Sequence, residues 1–162
     1  MTLIGVISDT HLSSRDPVLD MIAATIFADV SIVLHAGDMV SPRVLDAFTE
    51  QGKNVIAVCG NMDGPDVRAA FPRNRVVRVE GVTIGLVHGW GGPQGIRPRV
   101  REVFDRVDAI VYGHTHQGFS GREGDVLFFN PGSPTDSRFT HTNSVGIMTV
   151  EGHHVEGKVL RL

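Results

Sequence analysis

The chain has 162 residues, of which 41% are hydrophobic and 20% charged, with a formal net charge of -3. This suits a single globular domain over residues 1–162 and excludes low-complexity and fibrous classes. The slightly acidic balance also excludes the basic surface of a dedicated nucleic-acid binder. A single cysteine, Cys59, rules out an intrachain disulfide and suits a reducing cytoplasm. The apolar stretch Leu3–Ile7 runs straight into Ser8-Asp9, without a basic n-region or a cleavage site, so no signal peptide is expected. No apolar run approaches the ~20 residues of a membrane span.

In chain order, Leu3–Ile7 reads as a buried strand. Pro17–Ala28 carries Val18, Leu19, Met21, Ile22 and Ile26 at helical spacing, with Asp16 as N-cap. Ile32–Leu34 is a second buried strand. Ser41-Pro42 opens a helix with Val44, Leu45 and Phe48 on its apolar face, ending near Gly52, and Val55–Val58 is a third strand. After Gly64 the pattern changes. Arg75–Val79 and Val82–Val87 form a hairpin turning at Glu80-Gly81. Gly89–Gly95 is a glycine-rich loop, Arg97–Arg106 a polar-faced helix and Ala109–Tyr112 a strand. The final third is hairpin-like: Gly118–Val126 with Leu127–Asn130, then Val145–Val150 with Val155–Leu160 around Gly152. An early βαβαβ pattern and a strand-rich end predict an α/β domain with a mixed sheet and a second, partly antiparallel sheet packed on it.

Five segments end apolar runs with residues that bind divalent metals. They are Asp9-Thr10-His11, Gly37-Asp38, Gly60-Asn61, His88-Gly89 and Gly113-His114-Thr115-His116. Together they supply two carboxylates, one amide and four imidazoles. One metal takes about four to six ligands, so this set suggests two metals sharing a ligand. Such a pair, roughly 3.5–4 Å apart, is the usual site for phosphate ester hydrolysis. All five segments sit where a strand ends, the place where loops of α/β sheets converge on ligands. The glycines at 37, 60, 89 and 113 leave room for sharp turns and close backbone approach. In an extended His114-Thr115-His116 segment the two rings share one face.

In order and approximate spacing, these segments resemble the calcineurin-like metallophosphoesterases. The resemblance runs from Asp9 to Ser133 and is nearest to the small, single-domain bacterial and archaeal phosphodiesterases, a likeness strengthened by His35-Ala36-Gly37-Asp38 and Asn130-Pro131-Gly132-Ser133. It implies two packed mixed β-sheets flanked by helices in four layers. It also implies that Asp9, His11 and His116 bind one metal, that Asn61, His88 and His114 bind the other, and that Asp38 bridges them, with Asp38, Asn61 and His114 counted as catalytic. The implied reaction is hydrolysis of a small phosphate diester by a hydroxide between two divalent ions, with manganese foremost and iron, zinc or nickel as alternatives. A homo-oligomer, dimer or tetramer, is common in such relatives; no membrane association is expected.

Two departures from the wider family stand out. Many relatives place a histidine, a candidate proton donor, directly after the asparagine; here the residue is Met62, followed by Asp63. The Asp-Arg-Gly that follows Gly-Asp in the family's protein phosphatases is replaced by Met39-Val40-Ser41, which counts against a phosphoprotein substrate.

Other residues read more plainly. His35 is expected to be a hydrogen-bonded core or supporting residue, and Cys59 a small buried hydrophobe. His153 and His154 are expected in solvent, and His141 lies in a polar loop. Trp90 reads equally as a core anchor or a substrate-pocket wall. Arg97, Arg99 and Arg101 read as a solvated helix face, with Arg97 as an alternative phosphate contact. Asn130 and Ser133 are expected to tie the loops. The competing function is a protein-binding scaffold on the same fold, like the retromer scaffold subunit; the full ligand set argues against it. Nuclease action is poorly supported, because the chain has no added capping domain and no basic surface.

Overall fold

The apolar runs form ten strands in two five-stranded mixed sheets in a computed structural model that describes residues 1–162. The first sheet centres on β1 (Thr2–Ile7), flanked by β2 (Ile32–His35) and then β3 (Asn54–Ala57), all three parallel. On the other side of β1, β9 (Ser144–Glu151) and β10 (His154–Arg161) extend the sheet antiparallel, giving the order β10-β9-β1-β2-β3. The second sheet contains β4 (Asn74–Val79), β5 (Val82–Val87), β6 (Ala109–Val111), β7 (Phe119–Glu123) and β8 (Val126–Asn130), in the order β4-β5-β6-β8-β7. Its three central strands are parallel, and each edge is an antiparallel hairpin arm.

The sheets pack face to face over a core that includes Ile4, Val6, Leu34, Ile84, Leu86, Val111 and Phe129. Alternate residues of β1 and β2, such as Ile7 and Val33, face outward into a second apolar layer with Leu19, Ile22, Phe27 and Phe48. Both faces of these parallel strands are therefore covered, which is why they read as continuous apolar runs rather than alternating ones. A third cluster, including Ile96, Val100 and Phe104, covers the outer face of the second sheet.

The helices are shorter than their apolar patterns predict. In α1 (Pro17–Ala24) the Asp16 side chain accepts from Val18 N, as expected of its N-cap. The helix stops early because Phe27 N bonds to Ile22 O, a wider turn that swings the Phe27 ring under Gly5. The buried Lys53 ammonium then satisfies the carbonyls of Phe27 and Val30 at 2.5 and 3.2 Å. The segment after Ser41 is a 3-10 turn, Pro42–Leu45, running into the single turn of α2 (Asp46–Thr49). A further helix, α3 (Pro65–Ala70), follows Gly64, where the sequence shows no clear periodicity. The Arg97 helix is confined to α4 (Ile96–Arg101), because Arg101 turns back to bond the carbonyls of Phe104 and Asp105.

Phe129 shows how tightly the sheets meet. A Cβ placed on Gly146 or Gly157 would lie 2.4 Å from its ring. Gly146→Ala is expected to destabilise the protein by about 1–3 kcal/mol, the usual cost of overpacking a filled core. Urea unfolding should show a lower midpoint with an unchanged m-value.

Candidate metal centre

Each of the five metal-binding segments follows the carboxyl end of a strand. Asp9 and His11 follow β1, Asp38 follows β2, Asn61 follows β3, His88 follows β5, and His114 and His116 follow β6. The packed sheets thus point five loops at one place. Asp9 N bonds to Gly37 O and His11 N to Asp38 O, both at 3.0 Å, and Gly113 N bonds to His88 O at 3.0 Å, which ties neighbouring loops within each sheet at the site.

All seven predicted residues converge. Asp9 Oδ1 lies 3.2 Å from His116 Nε2 and 3.8 Å from the Nε2 atoms of His11 and His88. Asp38 Oδ2 lies 3.2 Å from His88 Nε2 and 3.8 Å from His11 Nε2. Asn61 Oδ1 is 3.1 Å from both His88 Nε2 and His114 Nδ1. Two groups of mutually close donors result, Asp9-His11-His116 and Asp9-Asp38-His88.

The outward atoms of the donors are held by the protein. His88 Nδ1 donates to Ala36 O at 2.8 Å and His114 Nε2 to Gly91 O at 2.8 Å, so His88 Nε2 and His114 Nδ1 face the centre. Asp9 Oδ2 accepts from Ser8 Oγ and from His114 N, at 2.6 and 3.0 Å. Asp38 Oδ1 accepts from Met62 N at 2.7 Å, which orients the carboxylate with Oδ2 toward His88 and His11. Asp9 Oδ1 is buried with no hydrogen-bond partner. A desolvated, unpartnered carboxylate oxygen surrounded by imidazole nitrogens fits a divalent cation.

The loops are tied by residues outside this set. Asp63, buried, accepts Gly60 N and Asp38 N on Oδ2 and Val40 N on Oδ1, at 2.7, 2.9 and 2.7 Å. Sequence reasoning missed that role; the short Gly60–Gly64 turn after a strand is the signal that could have found it. Asn130 and Ser133 do tie the loops. Asn130 Nδ2 donates to Gly113 O at 2.9 Å, and Ser133 Oγ donates to Asp9 O at 2.7 Å. A second missed residue is Asp136, whose Oδ2 is 3.6 Å from His116 Nδ1 and which is held by Arg138. Two glycines are needed for space: a Cβ on Gly60 would lie 2.1 Å from Asp38 Oδ1, and one on Gly113 would lie 2.0 Å from Ser8 Oγ.

His35 is a supporting core residue, as expected. It is fully buried, with Nδ1 accepting from Gly37 N at 3.1 Å and Nε2 at 3.2 Å from Thr10 Oγ1. Cys59 is buried, and His141, His153 and His154 are exposed. Trp90 is 47% exposed and is no core anchor. The arginines of α4 are not a free solvated face. Arg97 pairs with Glu123, and Arg99 donates to the carbonyls of Trp90, Gly92 and Gln94, clasping the loop that carries Trp90.

Burial would raise the Asp9 carboxyl, but the imidazoles of His11 and His116 hold it well below the usual range. Asp38 is likewise lowered, with His88 outweighing burial. His88 is driven down by burial but driven up further by Asp38 and Asp9, to about 9. Burial pushes His35 down to about 4, so it is neutral near pH 7.

This fold and donor cluster define a metallophosphoesterase, and the comparisons agree: the sequence model of the calcineurin-like phosphoesterase superfamily domain matches residues 2–153, and the chain belongs to that family. A probable metallophosphoesterase of Methanothermobacter thermautotrophicus is 37% identical over 161 residues, covering 98% of this chain and 92% of its own. A phosphodiesterase of Methanocaldococcus jannaschii is 30% identical over 164 residues, covering 91% and 93%. Among solved structures, vacuolar protein sorting 29 of Cryptosporidium parvum superposes with a TM-score of 0.75 at 23% identity over 99% of this chain and 97% of that one, a likeness of fold. No helix is long and apolar enough to cross a membrane.

In the metal-free protein the His88 imidazolium is the counter-ion of the two carboxylates. Its pKa is raised on folding, so its contribution to stability is complete below about 6.5, its ordinary value, and is lost as pH rises through about 9. The melting temperature in chelator should therefore fall between pH 6.5 and 9. A flat or rising profile in that window would show that His88 does not carry this charge.

Proposed function

We propose that this chain is a metal-dependent phosphodiesterase acting on small phosphate diesters in the cytoplasm, with two divalent ions, manganese foremost, in the cluster. The observation that carries this reading is the unpartnered, buried Asp9 Oδ1 facing three imidazoles. Asp9, His11 and His116 would hold one ion, and Asn61, His88 and His114 the other. Asp38 would be shared between them, its carboxylate oriented by Met62 N donating to Oδ1. When bound, such ions neutralise charge on phosphoryl oxygens and lower the pKa of water. A scaffold would have no need to keep a carboxylate oxygen buried without a partner.

The protein's own part is to aim these atoms and limit proton transfer. Ala36 and Gly91 carbonyls fix the His88 and His114 rings, and Asp63 holds Gly60 and Asp38 in register. The position after Asn61 supplies no acid: the Met62 side chain is 59% exposed and carries no acidic proton. Leaving groups that depart without a proton are favoured. Diesters are favoured over monoester dianions, which bring a further negative charge to the same centre. The M. jannaschii phosphodiesterase supports the same substrate class.

Metal analysis of reconstituted protein should give two ions per chain, and Asp38→Asn should weaken both. At most one ion per chain would contradict the shared-ligand arrangement. Bis(p-nitrophenyl) phosphate should turn over faster than p-nitrophenyl phosphate with the same metal; the reverse order would defeat the diester assignment.

A general acid contributes on the order of 10²–10⁴ in rate when the leaving group needs a proton. Rates should therefore fall steeply as leaving-group pKa rises. Met62→His should help alkyl leaving groups more than nitrophenol. A flat dependence with chemistry rate-limiting would reveal another donor.

A further inference from the structure

Beside the cluster lies a cavity of about 540 Å³, bordered on one side by Asn61 and His88. Its size is within the ~300–1,000 Å³ of small-molecule sites. Two arginines line it, Arg68 from α3 and Arg73 from the turn before β4, and no carboxylate does. Neither arginine forms a salt bridge, whereas Arg15, Arg97 and Arg138 pair with Asp20, Glu123 and Asp136. Arg68 is anchored to the site, with Nη2 donating to Asn61 O at 3.0 Å. The other walls are uncharged, with Asn74 beside the apolar Val87, Val103 and Trp90. The Trp90 loop is held from two sides, by the Arg99 guanidinium and by His114 donating to Gly91 O at 2.8 Å. Two uncompensated guanidinium groups, an exposed tryptophan on a loop whose backbone is tethered, and an opening onto the donor cluster form one amphipathic compartment.

We propose that this cavity binds a nucleotide-like half of the diester substrate, its flat ring against Trp90 and a second phosphate at Arg68 and Arg73. Guanidinium groups match phosphate oxygens bidentately. Every base presents a π-face for stacking on an indole. The proposal rests on the phosphodiesterase reading and narrows its substrate to nucleoside diesters carrying a further phosphate. The protein is acidic overall, with a net charge of -3, so these two cations act locally at the cavity.

Trp90 is the single tryptophan, so fluorescence excited selectively at tryptophan reports on this wall alone. Manganese-loaded protein is titrated with thymidine 3′,5′-bisphosphate, thymidine 5′-phosphate and thymidine. Saturable quenching is expected, with the bisphosphate binding about tenfold or more tightly than the monophosphate. Arg68→Ala and Arg73→Ala should each remove most of that preference. A second measurement compares thymidine 5′-(p-nitrophenyl phosphate) with and without a 3′-phosphate. The 3′-phosphate should raise kcat/KM about tenfold in the wild type, chiefly through KM, and this ratio should approach one in Arg73→Ala. Equal binding of bisphosphate and monophosphate by the wild type, or a preference that survives both arginine variants, overturns the proposal. If no diester is hydrolysed but the bisphosphate preference is present and depends on the arginines, the phosphodiesterase reading fails and the nucleotide cavity stands. If bis(p-nitrophenyl) phosphate is hydrolysed and no preference exists, the cavity assignment fails and the phosphodiesterase reading stands.

Discussion

The architecture depends on one buried carboxylate oxygen. Asp9 Oδ1 has no hydrogen-bond partner and faces the Nε2 atoms of three histidines at 3.2–3.8 Å. A desolvated carboxylate costs several kcal/mol unless a cation compensates it. In the metal-free protein that cation is the proton on His88, raised to about 9 by the two carboxylates it faces. A divalent ion meets the same electrostatic demand with more charge. Metal binding and proton release are therefore two states of one balance.

Holding so many donors on one point strains the backbone. Seven non-glycine residues have positive φ, and five of them are Asp9, His11, Asp38, His114 and His116. Such conformations cost on the order of 1–3 kcal/mol each and persist only where the surroundings over-determine them. Asp and His tolerate the left-handed region better than most residues, so the residue types that bind metal also suit the turns. The surroundings here are the carboxylate of Asp63, with three backbone amides, and the side chains of Asn130 and Ser133. These groups make few contacts with the donor atoms themselves. They fix the loops from behind, and the packed sheets fix the groups.

The centre is asymmetric. On one flank Asp136, held by Arg138 at a pKa of about 2, keeps a carboxylate beside His116. On the other flank Arg68 and Arg73 face a cavity without acids. The carboxylate on the His116 side is thus paired with a cation of its own, whereas the two guanidinium groups on the Asn61 side have no carboxylate partner.

Much of this was legible in the sequence. Strand cores, hairpins and the five donor segments are local patterns: apolar runs of strand length, turn residues, and metal-binding side chains placed where runs end. The N-caps at Asp16 and Ser41 are equally local, since each accepts from an amide two residues on. Helix lengths were less legible, because Phe27 and Arg101 are turned by contacts with Gly5 and with later carbonyls. The sequence by itself determined which residues carry the donors and that they fall after strands, because chain position and side-chain chemistry are written directly in it. Tertiary structure alone decided that Asp38 is oriented by the Met62 amide, that Asp63 ties three amides, and that Arg68, Arg73 and Trp90 share a cavity. Those facts depend on distances between segments far apart in the chain, which only the packing of the two sheets defines.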